Sequence, residues 1–264
     1  MAPLPTFTTL GHGPLVLLLH GAGGGFRAFA PQVETLASQG FRVVAWNMPG
    51  YGQSAPIEPY GFKGLAARGA ALIEALAPLA GAAPVAVVGH GLGGMVAQEL
   101  ALRRPDLVRQ LVLVASADAV APGDGYSRYV AQGLGWLDEG RDMADIASAL
   151  VPPLAGSGAL PAGVQLAIHC QAQVPAATWR RALQALGEFD RRAALDRLHV
   201  PTLLVAGAED RVTPPAVLQA MAVVVAGSRC VTLARTGHWP QLEQPQAFDA
   251  LLVDFLRHAR PPLH

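Results

Sequence analysis

Two residues that could move a proton, Asp210 and His238, each follow a short apolar run in the C-terminal third of the chain. Singly, each is ordinary: an aspartate before Pro214 and Pro215 is common turn chemistry, and a lone histidine is more often a hydrogen-bonded structural residue. Together they form an acid and a base, in that order, downstream of a third feature at Gly89–Gly93. There Val85, Val87 and Val88 predict a buried strand, and Met95, Val96, Gln98, Glu99 and Leu100 predict a helix. A strand, a tight turn and a helix are what a nucleophile elbow requires, with the pattern G-x-S-x-G and the serine at the apex. The residues here are Gly89, His90, Gly91, Leu92 and Gly93. The setting for a nucleophile is present, and its apex is a glycine.

A fourth feature is Ala22 to Gly25, which follows the apolar run Leu15–Leu19 and its end at His20 and Gly21. Small residues there let backbone N–H groups approach a substrate, as an oxyanion hole does, although a flexible turn would look the same.

These loops need a frame. Strands are expected at Thr6–Leu10, Leu15–Leu19, Phe41–Trp46, Val85–Val88, Leu111–Ala115, Thr202–Ala206 and Cys230–Leu233. Helices are expected between most of them, at Phe29–Ser38, at Gly64–Ala80 with a stop near Gly81 and Pro84, from Met95 to Arg103 and at Phe248–His258, with Leu218–Val225 helical or mixed. That alternation argues for a parallel sheet with helices on both faces. The loops carrying Gly91, Asp210 and His238 then leave the sheet at one edge. From Asp118 to Leu195 no strand is evident, only four helical stretches punctuated by proline and glycine. The chain is expected to divide into a core of residues 1–117 and 196–264 and a helical cap of residues 118–195.

With these features in view, the chain resembles the α/β-hydrolase superfamily over nearly its whole length. The matching stretches are LLLHGAGGG at 17–25, NMPGYGQS at 47–54, GHGLGGMVAQEL at 89–100, PTLLVAGAEDRVTP at 201–214 and GHWPQLEQP at 237–245. The resemblance implies an α/β-hydrolase fold, a mostly parallel sheet with helices on both faces and a helical cap. It makes His238 the general base and Asp210 its orienting acid, with the N–H groups of Ala22 and Leu92 as oxyanion hole. It also implies hydrolysis of an ester, lactone or related acyl bond in a small apolar substrate. Asn47 departs from the aspartate usual at that position, a difference expected to concern loop structure. Gly91 stands where the family has its nucleophile, and a glycine cannot attack a carbonyl.

Two explanations of Gly91 stay open. Either a serine has been replaced and the enzyme inactivated, or the protein works without a nucleophile. In the second case it is a lyase, carbon–carbon hydrolase or oxygenase using His238 as base, or a non-catalytic ligand-binding receptor. Other groups compete weakly: His90 is expected to pack behind the strand, Cys170 to be a small hydrophobe, and Asp118 to be an alternative acid in a less specific setting. Gly23, Trp136, Trp179 and Trp239 are expected to touch the substrate, with Val130, Leu134, Leu150, Leu154 and Leu166 as further apolar walls.

Composition excludes several other classes. Nineteen basic residues balance nineteen acidic ones, so nothing points to nucleic acid or an anionic membrane. The two cysteines, Cys170 and Cys230, are too few and too distant for a disulfide framework, and a reducing, cytoplasmic setting is expected. No metal or dinucleotide spacing occurs and no cofactor is expected. The partners expected are a small-molecule substrate and, at most, a second copy in a homodimer.

Overall fold

The computed structural model describes residues 3–80 and 84–258. Among the described residues, seven strands form one sheet: β1 (Phe7–Leu10), β2 (Leu15–Leu19), β3 (Arg42–Trp46), β4 (Val85–His90), β5 (Val108–Val114), β6 (Thr202–Gly207) and β7 (Arg229–Leu233). Their order is β1-β3-β2-β4-β5-β6-β7, with β1 antiparallel to β3 and all other pairs parallel.

Side-chain alternation builds two cores from strands that read as unbroken apolar runs. Leu15, Leu17, Leu19, Val87 and Leu111 point to one face, beneath α2 (Phe62–Ala80), α3 (Leu92–Arg103) and α8 (Pro215–Val224). Val16, Leu18, Ala86, Val88 and Val112 point to the other, beneath α1 (Ala30–Ser38) and α10 (Pro245–His258). Helices on both faces follow from those two apolar surfaces. Gly81, expected to stop α2, lies outside the described residues.

The alternation breaks between β5 and β6, where the chain forms α4 (Gly125–Asp138), α5 (Met143–Leu150), α6 (Pro161–Ala172) and α7 (Ala176–Gly187). Local chemistry sets their starts. Asp124 caps α4 by accepting from Ser127 N at 2.6 Å, Asp142 caps α5 by accepting from Asp145 N at 2.8 Å, and Pro161 opens α6. The segment enters and leaves side by side, for Ala119 and Asp190 form an antiparallel bridge. Just beyond that bridge, the buried Glu99 of α3 accepts from Arg191 at 2.5 Å and pairs with Arg103, fixing the exit to the elbow helix. A four-residue helix, α9 (Pro240–Glu243), follows the His238 loop. No described helix is long and apolar enough to cross a membrane.

Candidate active site

The turn after β4 takes the shape its glycines permit. Gly91 has φ 52° and ψ −118°, a conformation that costs a residue with a Cβ about 1–3 kcal/mol. Its N–H donates to Val114 O at 2.9 Å, and its carbonyl accepts from Ser116 Oγ at 2.9 Å and Gly94 N at 3.0 Å. Gly93 is required for a different reason: a Cβ there would sit 2.1 Å from the Leu19 carbonyl oxygen, so only glycine lets α3 pass so close to β2. A Cβ at Gly91 meets nothing closer than the Tyr126 hydroxyl at 3.4 Å, which is ordinary contact. The apex has room for a side chain.

Asp210 and His238 come together beside it. His238 Nδ1 lies 3.0 Å from Asp210 Oδ2, and both residues are buried. The other carboxylate oxygen of Asp210 accepts from Val212 N at 2.8 Å and Thr213 N at 3.0 Å, so the acid is held by its own loop. An acceptor on Nδ1 places the ring proton there and leaves Nε2 as the lone-pair nitrogen. Asp118, the other candidate acid, does not reach this pair. It sits half-buried at the start of the crossover, and burial raises its carboxyl above the usual range.

The His238 loop is pinned on two sides. His238 N donates to Leu154 O at 3.0 Å, while the buried carboxylate of Glu243 accepts from Gly156 N at 2.8 Å, Gly237 N at 2.6 Å and Trp239 N at 2.9 Å. Glu243 escaped the sequence reading because its role is backbone capture, which leaves no signature beyond one acidic residue at a helix end.

His90 also differs from expectation. It does not simply pack behind the strand: its Nε2 lies 2.8 Å from the His238 carbonyl oxygen, and the two rings are 5.0 Å apart. Burial pushes its imidazole down to about 3, so the ring is neutral and Nε2 is the donor. His20, buried between Gly21 O at 2.8 Å and Met48 N at 3.0 Å, is lowered to about 4 for the same reason and fixes the glycine loop to the β3 loop.

These groups surround a cavity of about 20 Å³, room for about one water. Gly21, Ala22, Gly23, Gly91 and Leu92 form its floor and His90, His238 and Trp239 one side. Tyr126, Tyr129 and Leu186, none of them singled out in the sequence, complete it from α4 and α7. Leu92 opens α3, where backbone N–H groups have no helical partner, and Ala22 N has no described protein acceptor.

Two expected contacts fail. Trp179 is buried in the packing of α7, edge-on to Tyr129 with centroids 6.4 Å apart, and supports the cavity wall from behind. Trp136 lies under the Arg141 guanidinium, 5.1 Å from its ring centroid, away from the cavity. Both are explained by position along the helix axis: Trp136 lies seven residues from Tyr129 on α4 and Trp179 seven residues from Leu186 on α7, so each shares a face with a cavity residue but sits two turns, about 10 Å, further along. Cys170 is buried in α6, its thiol pushed up to about 11 by desolvation, and lines a separate cleft. Asn47 serves loop structure, accepting from Phe26 N and donating to Thr6 Oγ1, each at 3.0 Å.

The alpha/beta hydrolase fold family matches residues 14–245. The chain belongs to that family. It is 32% identical over 262 residues to a pimeloyl-acyl-carrier-protein methyl ester esterase of Neisseria meningitidis serogroup B, with 91% of this chain and 92% of that protein covered. Among solved structures, the enol-lactonase of Burkholderia xenovorans superposes with a TM-score of 0.84 at 25% identity, covering 96% of each chain. A hydrolase of Pseudomonas aeruginosa superposes with a TM-score of 0.81 at 27% identity, covering 96% of this chain and 94% of that one. The scaffold is that of a hydrolase family with esterase relatives.

Proposed function

We propose that this chain is an ester or lactone hydrolase of the Ser-Asp-His type in which Gly91 occupies the nucleophile position, acting on a small apolar substrate beneath a helical cap formed by residues 118–195. The observation that carries the reading is the Asp210–His238 pair, 3.0 Å apart and buried, beside an apex whose backbone already has the strained elbow geometry. The base is oriented, and nothing stands for it to activate. Ala22 and Leu92 N–H groups supply the oxyanion donors, and His238 Nε2 is the proton acceptor. As the chain stands, the acyl-enzyme route is closed for want of a hydroxyl.

The experiment is Gly91→Ser. The folded serine variant is expected to label with a fluorophosphonate probe and to hydrolyse p-nitrophenyl acetate, with both lost on His238→Ala. A folded serine variant that neither labels nor hydrolyses removes the reading.

A second reading is favoured by the water-sized space in the cavity lined by Gly91 and His238. A water there could serve as the nucleophile with His238 as base. Slow turnover by the glycine protein that disappears in His238→Ala is its expected mark.

A further inference from the structure

A second cleft, of about 250 Å³, opens between the glycine loop and α6. Its walls have a different chemistry from those of the cavity at Gly91. Phe26, Tyr51 and Val174 line it with apolar surface, and Arg27 and His169 bring polar heads to it. Arg27 Nη1 donates to His169 Nε2 at 3.3 Å, which requires that nitrogen to be unprotonated. The guanidinium also lies 5.8 Å from the centroid of the Phe26 ring.

Arg27 differs from the paired arginines of this protein. Arg103, Arg104, Arg180, Arg181 and Arg229 each meet a carboxylate, whereas among the described residues none lies within ion-pair distance of Arg27. A guanidinium carries five N–H donors in a planar fork. His169 takes one of them, and the rest have no described protein acceptor. The cation is held from two sides, by an imidazole and an aromatic ring, so it loses less freedom on meeting an anion than a free surface arginine would.

The cleft is walled off from the Gly91 cavity. Gln171, buried in α6, lies so close over Gly23 that a Cβ there would come within 1.9 Å of its Oε1. The Tyr51 hydroxyl donates to Ala22 O at 2.8 Å and closes the same wall from the other side. A ligand in the cleft is therefore recognised without touching His238.

We propose that this cleft is a binding site for a small aliphatic monocarboxylate, with the carboxylate on the Arg27 guanidinium and the alkyl chain against Phe26, Tyr51 and Val174. One guanidinium balances one negative charge, which fits a monocarboxylate better than a phosphate dianion, and the planar fork matches two carboxylate oxygens. The apolar walls require a hydrocarbon tail. The site stands whether or not Gly91→Ser gains esterase activity.

The test is an NMR titration of the glycine protein with hexanoate, with hexylamine and hexanol as matched probes. Saturable shifts of the Gly24, Gly25, Arg27 and Cys170 amides are expected for hexanoate and absent for the amine. Arg27→Gln should weaken hexanoate about tenfold or more, the scale of losing hydrogen bonds to a charged group, and Arg27→Lys should fall between. Val174→Trp, which fills the cleft, should abolish the shifts, and His238→Ala should bind as the parent does. Absence of saturable binding, equal binding by Arg27→Gln, equal binding of hexylamine, or shifts confined to Gly91, Leu92 and Trp239 would each overturn the proposal.

Discussion

His90 Nε2 donates to the carbonyl oxygen of His238 at 2.8 Å, so the residue before the elbow apex holds the backbone of the proposed base. The link crosses the sheet edge between the loops after β4 and β7. It makes the relative position of apex and base depend on a side chain that takes no part in the chemistry.

His90→Phe keeps much of the volume and removes the donor. The buried His238 carbonyl is then unpaired, and stability should fall by about 1–3 kcal/mol in urea denaturation. In the Gly91→Ser background, kcat should fall by roughly tenfold with KM little changed, because the cost is misplacement of the base. His90→Gln, which retains an N–H, should recover part of both losses. Equal kinetics in the two variants would reduce His90 to packing.

Glu243 provides a second test of how the base is positioned. Its carboxylate accepts from Gly156, Gly237 and Trp239 N–H groups at 2.6–2.9 Å. Glu243→Gln puts an amide N–H where an acceptor is needed, and a loss on the order of 2–3 kcal/mol is expected, with the near-ultraviolet signal of Trp239 changed. An unaltered melting curve would contradict the assigned role.

Gly91→Ser should carry a measurable stability cost even as it gains chemistry. A side chain at φ 52° and ψ −118° is strained by about 1–3 kcal/mol, and the melting temperature should drop by roughly 2–4 °C per kcal/mol. The cost is conformational, since a Cβ finds ordinary contact at 3.4 Å. Gly91→Ala should show the same decrease without activity, and a rise in melting temperature for both would refute the strain argument.

Acid should unfold the protein partly through its two buried histidines. His20 and His90 are held by burial at about 4 and about 3, against 6.5 in the unfolded chain. The unfolded state therefore binds protons that the native state refuses. This contribution is fully present above pH 6.5 and is lost as pH falls through about 4 for His20 and about 3 for His90, on the order of 3 kcal/mol or more for each. His20→Asn should flatten the decline between pH 6.5 and 4 in denaturant titrations. An unchanged slope would exclude His20 as its source.

The sequence by itself determined the sheet and the loops that carry chemistry. Leu15–Leu19 and Val85–Val88 are apolar at every position, which only a strand covered on both faces accommodates, and the glycines at 89, 91 and 93 permit a turn that few other residues could make. The order of Gly91, Asp210 and His238 along the chain follows from the same pattern. Tertiary structure decided the rest, because cross-chain contacts have no period. That His90 reaches His238, that Glu243 gathers three N–H groups, and that Tyr126 and Tyr129 close the cavity in place of Trp136 all depend on which turn of a helix meets the cavity and on loop approach. Those are set by how α4, α6 and α7 pack over the sheet edge, and many apolar residues along them are compatible with several packings. Proximity of an arginine to an apolar cleft, as at Arg27, is decided at that level too: its neighbour His169 is 142 residues away in the chain.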